Sequence, residues 1–172
     1  MRGLVAVCLS LLLCTAGCGY TLVRQSQSLT GIQTVAIETP RNDSYEPGVE
    51  LVIADALRRE FLRRGSVRVV DDATRADLVL DGEVHRIRTS GRSFDSVVLA
   101  VEYELTVSLA LRATRPDGSR VPIDARALRE TEIYSASADV EATRKNRQEA
   151  LRHLAVVLAG RVHDSLAESL AP

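Results

Sequence analysis

The sequence has few aromatic side chains and almost no lysine. Aromatic residues make up 3% of its 172 residues and tryptophan is absent, so Val, Leu, Ile and Ala must supply the core. Lys145 is the only lysine, and the formal net charge is −1. With so little net charge, no global field draws the chain toward nucleic acid or anionic membranes, and we predict no nucleic-acid partner.

Cysteine is absent from the sequence after position 18. The three cysteines are Cys8, Cys14 and Cys18. A short positive start is followed by an apolar run over residues 4–13 and by small residues at 15–17, which is the pattern of a cleaved signal peptide. The apolar run is about half of the ~20 residues that a membrane span needs, so we predict no permanent transmembrane helix.

Small residues directly before Cys18 form a lipobox, the motif in which the thiol receives a diacylglycerol before cleavage. Thr15 departs from the usual Leu, and an ordinary signal peptide with an incidental cysteine is the alternative. Lipidation explains an otherwise unpaired thiol in an oxidising compartment, so we predict it at Cys18. We therefore divide the chain into a signal peptide (1–17), an extended lipidated lead-in (18–31) and a single domain (32–172).

The first half of this domain has the pattern of strand, helix and strand. A short apolar strand covers 32–39, and a helix covers 46–64, with Pro47 suited to its first turn and Gly65 to its end. A second strand covers 67–70. This order predicts a βαβ or split βαβ unit.

The middle of the chain is dominated by β patterns. A strand begins at Leu78, with a bulge or twist expected over 83–86, and the polar residues 89–96 read as a turn. Apolar side chains then occupy the odd positions of 99–113, which predicts a long antiparallel strand with one buried and one wet face. A weaker edge strand is expected over 125–134.

The C-terminal segment 139–170 predicts one long helix, with Asp139 as its N-cap and an apolar stripe that begins at Val140. Nothing but a sheet could cover so long a stripe. The fold class is therefore α+β, a two-layer sandwich. Its mixed, mostly antiparallel sheet has four to five strands and two helices packed on one face.

The sequence shows no pattern that indicates catalysis. His85, His153 and His163 have no metal-ligand spacing and read as surface or edge histidines. Glu102 and Glu104 lie on the polar face of a strand, where solvation explains them more simply than acid–base chemistry. No G-x-S-x-G, P-loop or G-x-G-x-x-G motif is present. We predict no enzyme, no cofactor and no metal.

One basic cluster has two interpretations. His85, Arg86, Arg88 and Arg92 crowd the end of one strand and the segment after it. They could hold lipid phosphates through charge-assisted hydrogen bonds. Alternatively, they solubilise an exposed strand edge.

The sequence from Cys18 to Leu22, Cys-Gly-Tyr-Thr-Leu, resembles the C-G-Y-x-L start of the mature LPS-assembly lipoprotein LptE family, also called rare lipoprotein B. The order of elements over 32–172 is similar as well. The resemblance implies a cofactor-free protein, lipid-anchored at the periplasmic face of the outer membrane. It implies that this protein plugs and helps assemble the β-barrel LptD and assists insertion of lipopolysaccharide. It also implies lipopolysaccharide binding by basic residues at a strand end, and the candidates by charge and placement are Arg86, Arg88 and Arg92.

Two other functions stay open from the sequence. The strand Arg68 to Asp71 is also similar to outer-membrane lipoproteins that activate a peptidoglycan synthase or form part of a secretion pore. A lipid-anchored enzyme is the third hypothesis, and it would need a cleft that the sequence does not indicate.

Overall fold

A computed structural model describes residues 29–94 and 100–171. The predicted signal peptide, Cys18 and most of the lead-in lie outside these residues. The two helices are α1 (Val49–Arg64) and α2 (Val140–Ser169). Short 3-10 turns cover Ala73–Arg75 and Ala125–Leu128. The strands are β1 (Thr34–Ile37), β2 (Arg41–Asn42), β3 (Arg68–Val70), β4 (Leu78–Val84), β5 (Arg88–Phe94), β6 (Ala100–Thr114), β7 (Arg120–Val121) and β8 (Arg129–Ser135).

The predicted βαβ unit is present. Strands β1 and β3 are parallel neighbours, and α1 connects them. The helix ends as its sequence predicts, because Gly65 adopts φ 66° and its N–H donates to the carbonyl of Phe61 at 3.2 Å. It begins at Val49, a turn later than predicted, after Gly48 with φ 81°.

Strand β6 organises the whole sheet. Strands β4 and β5 follow one another along one of its edges, and β7 and β8 lie along the other. The parallel strands β1 and β3 extend the sheet beyond β4, so the eight strand segments occupy five positions across the sheet: β3, β1, β4 followed by β5, β6, and β7 with β8. The sheet is mixed, because the β1 and β2 pairings are parallel and the four pairings of β6 are antiparallel.

The prediction of a polar turn over 89–96 is wrong, because β5 occupies most of it. Its residues Arg88 to Gly91 pair with Thr106 to Tyr103 of β6. The sequence of β5 is polar because the strand lies at an edge of the sheet, where its backbone bonds to β6 and the side chains of residues 88–92 are exposed.

The predicted period-two pattern of β6 is confirmed, because the two faces of the strand lie in different environments. Its odd residues from 105 to 113 are buried, and they face the helices. We call this side the helix-covered face and the opposite side, which carries the even residues, the open face. β4 approaches β6 so closely that a Cβ on Gly82 would lie 2.0 Å from the carbonyl oxygen of Ala110.

Helix α2 has the predicted N-cap, since the Asp139 carboxylate accepts a 2.9 Å hydrogen bond from the N–H of Glu141. The apolar stripe, however, does not begin at Val140, which is 82% exposed. The first buried residue of the helix is Ala150, because its first ten residues extend beyond the packed core.

The domain has two distinct ends. The described part of the chain begins at Leu29, close to the start of β1 and to the end of β6, and we call this the entry end. Strand β5 runs away from this end and β6 runs back toward it, so the β5–β6 pair and the first residues of α2 form the opposite end, which we call the hairpin end.

Candidate functional site

The three predicted lipopolysaccharide-binding arginines lie on the exposed edge at the hairpin end. Arg88 pairs in register with Thr106, which places it on the open face. Arg92 falls at an irregularity between Gly91 and Ser93. Arg86 lies in the short break between β4 and β5. All three side chains are exposed, and β6 is the only described strand that pairs with β5.

These arginines carry charge that the described residues do not neutralise. The ion pairs found within the described ranges include none of Arg86, Arg88 and Arg92. Arg86 instead lies over the ring of Tyr45, with its Cζ 5.1 Å from the ring centroid, in a cation–π contact that leaves its charge in place. The cluster is therefore suited to binding anionic groups.

The rest of the open face is polar and largely charge-balanced. Arg112 of β6 donates from Nε to Asp81 at 2.9 Å, and this bond together with the charge of Asp81 raises the pKa of Arg112. Arg41 pairs with Glu83 across β2 and β4, and His85 lies 3.5 Å from the same carboxylate. The open face thus presents mainly paired charges to its surroundings, with Ile133 of β8 as an exposed apolar side chain among them.

Thr106 is the one buried polar residue of β6, and it also lies on the open face. Its hydroxyl shares a 2.9 Å hydrogen bond with that of Thr131 on β8, so burial leaves neither hydroxyl without a partner. Glu102 and Glu104 are half-buried on the same face, as the alternation of β6 predicts.

At the hairpin end, Arg147 contacts residues from several separate elements. Arg147 of α2 bonds to Glu46 at 2.5 Å and reaches to within 3.5 Å of the hydroxyl of Thr89 on β5. It also lies beside Tyr134, whose ring stacks on Tyr103 at 5.5 Å. Burial raises the pKa of Tyr134. The sequence gives no sign of these contacts, because their partners are far apart along the chain.

The prediction that all three histidines lie at the surface or an edge is wrong for His163, which is fully buried. Its ring contacts Phe61 edge-on at 5.0 Å, and its Nε2 lies 3.5 Å from the hydroxyl of Ser66. Burial lowers the pKa of His163, and the charge of Arg64 adds to this effect. The ring stays neutral and packs as part of the helix–helix core.

The charged groups around this histidine are paired with each other. Glu60 accepts hydrogen bonds from Arg63 at 2.5 Å and from Arg64 at 2.8 Å, which lower the pKa of the Glu60 carboxyl to about 2. Arg64 also pairs with Asp164 at 2.9 Å. We interpret this cluster as structural.

The described residues contain no arrangement suited to catalysis by a metal. No group of three His, Cys, Asp or Glu side chains in the described ranges is close enough to hold a metal ion. The groove between the two helices is lined by charges that are mutually paired, such as Asp55 with Arg59 and Glu60 with Arg63. Among the described helices, none is long and apolar enough to cross a membrane.

Residues 32–166 match the profile of the LptE family, described as lipopolysaccharide-assembly. The fold is similar to the solution structure of a lipoprotein B from Nitrosomonas europaea, with 17% identity, a TM-score of 0.59, and coverage of 85% of this chain and 88% of that one. It is also similar to rare lipoprotein B from Shewanella oneidensis, with 19% identity, a TM-score of 0.54, and coverage of 79% and 95%. Among curated protein sequences, none matches this chain.

Proposed function

Because the chain belongs to the LptE family of lipopolysaccharide-assembly proteins, we propose that it plugs and helps assemble an LptD-type outer-membrane β-barrel. In this role it assists the insertion of lipopolysaccharide into the outer leaflet. The observation that carries the proposal is the open face, a side of the sheet that no described helix covers and that is nevertheless largely polar.

A polar open face fits the inside of a barrel. The lumens of outer-membrane barrels are polar, so a plug that fills one must present paired charges and hydroxyls to its wall. On the open face, Arg41–Glu83 and Arg112–Asp81 are such pairs, and Thr106 and Thr131 supply the hydroxyls.

The dimensions of the domain indicate the size of barrel it fits. Five strand positions span about 24 Å across the sheet, and β6 alone is about 50 Å long. Small eight-stranded barrels are filled by their own side chains, whereas barrels of roughly 22 strands enclose a plug. The partner must therefore be a large barrel.

The proposed anchor and the two ends of the domain together lead us to infer an orientation in the membrane. Lipidation of Cys18 at the periplasmic face of the outer membrane anchors the chain before its entry end. A fully extended tether from Cys18 to Leu29 reaches about 37 Å. The hairpin end then points away from the anchor and into the barrel, and it carries Arg86, Arg88 and Arg92 toward the path of the lipid.

The arginines on β5 are the proposed contacts with lipopolysaccharide. Arg88 and Arg92 are the stronger candidates, because both are exposed and form no ion pair with a described residue, whereas the guanidinium of Arg86 already contacts Tyr45. A guanidinium binds a phosphate through two parallel hydrogen bonds, which suits the phosphates of lipopolysaccharide.

The plug role is tested by purifying the tagged, full-length chain from detergent-solubilised membranes of its own host. We expect a large β-barrel to copurify in constant ratio, and we expect depletion of the chain to reduce surface lipopolysaccharide. Recovery of the chain as a monomer, with normal lipopolysaccharide after depletion, would contradict the proposal. Intact-mass analysis of the same sample tests lipidation of Cys18.

The lipid contact is tested with the double variant Arg88→Ala/Arg92→Ala. We expect its binding to lipopolysaccharide to weaken roughly tenfold, since exposed ion pairs contribute about 0.2–1 kcal/mol each and a loss of about 1.4 kcal/mol corresponds to a factor of ten. The matched control is Arg115→Ala/Arg120→Ala, which removes two arginines from the turn at the entry end. Equal binding by both double variants would show that β5 has no special role.

A further inference from the structure

Tyr45 is held in a position where its ring contributes little hydrophobic burial to the fold. It lies in the loop between β2 and α1, and it is 85% exposed although the chain is poor in aromatic residues. Three other aromatic side chains lie in or against the core, namely Phe61, Tyr103 and Tyr134. An exposed tyrosine gains almost no hydrophobic stabilisation from folding, so its placement needs another explanation.

The loop that carries Tyr45 is strongly braced. The amide of Asn42 donates to the carbonyl of Glu46 at 2.9 Å and to the carboxylate of Glu50 at 2.7 Å. The Asn42 carbonyl oxygen accepts from the backbone N–H of Ser44 at 2.8 Å. These bonds fix the residues on both sides of Tyr45 while leaving the ring itself in solvent.

A second brace comes from the C-terminal helix. Arg147 of α2 pairs with Glu46 at 2.5 Å, and both side chains are three-quarters buried. The loop is therefore tied to its own strand, to α1 and to α2. Such bracing lowers the entropy that a side chain would lose on binding, and this is how preorganised contacts gain affinity.

Arg86 completes the feature. Its guanidinium lies 5.1 Å from the centroid of the Tyr45 ring, and its Nη2 donates weakly to the tyrosine hydroxyl at 3.4 Å. The two residues are 41 positions apart and meet where β2 stops pairing with β4. Together they make a flat, rigid projection with an apolar ring and an adjacent positive charge, which we call the Tyr45–Arg86 knob.

Arg86 supplies the charge of the knob, and the ion pairs among the described residues do not include it. Of the nearby acids, Glu46 is paired with Arg147, Glu83 is paired with Arg41, and the Glu50 carboxylate accepts a hydrogen bond from Asn42. A complementary partner surface must therefore present carboxylates around an apolar pocket.

We propose that the Tyr45–Arg86 knob docks into a pocket on the inner wall of the barrel partner, with an apolar floor for the tyrosine ring and a carboxylate rim for Arg86. This inference rests on the proposed plug function and adds the contact that fixes the plug in the lumen. Tyrosine and arginine are the side chains that most often dominate the energetics of protein interfaces, and a braced, exposed pair of them has the form of such an anchor.

The test measures the affinity of the purified lipidated chain for its detergent-solubilised barrel. Tyr45→Ala should weaken the complex roughly 30-fold, the effect of losing an interface anchor, and Arg86→Ala should weaken it roughly fivefold. Leu51→Ala is the matched control, because Leu51 is a 60% exposed apolar side chain on α1 outside the knob. Its affinity should stay within about twofold of wild type. All three variants should melt at the wild-type temperature.

Reversing the charge of Arg86 tests whether the proposed pocket has a carboxylate rim. Arg86→Glu should bind more weakly than Arg86→Ala, because it places a negative charge against the proposed carboxylates. Affinity of Arg86→Glu equal to or above that of Arg86→Ala would overturn the acidic rim and with it the proposed partner surface.

The outcomes separate this inference from the proposed function. A wild-type chain that binds no barrel would overturn both. Wild-type affinity of Tyr45→Ala would overturn the knob while the plug function stands. Unchanged barrel affinity with weakened binding to lipopolysaccharide would also overturn it, because it would identify the pair as a lipid contact.

Discussion

Glu104 and Leu105 are consecutive residues of β6, yet they lie in opposite environments. Leu105 is fully buried on the helix-covered face, and Glu104 is half-buried on the open face. The same contrast is repeated along the strand, so that one side is packed by aliphatic side chains and the other carries ion pairs and hydroxyls. The alternation of a single strand thus separates the part of the sequence that stabilises the fold from the part that meets a partner.

The largest loss of stability is expected when a side chain on the helix-covered face is truncated, and truncation on the open face should cost little. Leu105→Ala should lower the free energy of unfolding by about 3 kcal/mol, because it removes a fully buried side chain and leaves a cavity. Glu104→Ala should change it by no more than about 0.5 kcal/mol. Urea unfolding of both variants measures this difference, and similar losses would show that the open face is also packed.

A smaller effect is expected where the two central strands approach each other. Gly82→Ala should lower the free energy of unfolding by about 2 kcal/mol, since its Cβ would meet the carbonyl of Ala110. Gly118→Ala is the control, because Gly118 has φ 82° but no atom within 4 Å of the added Cβ, so only the backbone strain of about 1 kcal/mol applies. Equal losses in thermal or urea unfolding would mean that β4 shifts to accept the methyl group.

The smallest effect concerns the pH dependence of the helix-covered side. Burial and the charge of Arg64 lower the pKa of His163 from its ordinary 6.5, so the unfolded chain binds this proton more readily than the fold does. The stability that the neutral ring contributes is therefore complete above pH 6.5 and is lost as the pH falls below it. Asp164 and Glu60 oppose this loss, because their charges favour the imidazolium.

The measurement is the slope of unfolding free energy against pH between pH 8 and 5 for wild type and His163→Gln. The wild-type curve should fall more steeply below pH 6.5, while the two curves should run parallel near pH 8, where the histidine is neutral in both states. Parallel curves over the whole range would contradict the assignment.

The sequence predicts the elements whose patterns arise from burial. The period-two pattern of β6 and the glycine end of α1 are confirmed, as are the N-cap of α2 and the α+β class with two helices against a mixed sheet. The resemblance to the LptE family is confirmed by the match over residues 32–166. In each case a local signal, such as alternation or a capping residue, agrees with the tertiary structure.

The sequence does not predict the elements that exist because of distant partners. Strand β5 has a polar sequence without alternation, and it is a strand because β6 supplies its hydrogen bonds. The contact between Tyr45 and Arg86 depends on the register of β2 against β4, which no local pattern encodes.

The buried position of His163 did leave a signal. Ala155, Ala159 and Ala167 stand at spacings of four around it and form a row of small buried residues along α2. A row of small residues marks the face of a helix that packs closely against the core. A histidine in that row is therefore expected to be buried, although its polar ring alone would suggest a surface position.

The hairpin end also bears on how such a domain adapts to different hosts. Beyond Tyr103, the β5–β6 pair leaves the packed core, so inserting or deleting two residues in each strand preserves the alternation of every residue below. Each such step changes the reach of the hairpin by about 7 Å without disturbing a buried side chain. The length of the β5–β6 hairpin can therefore be changed to suit the height of a barrel lumen without changing the core of the domain.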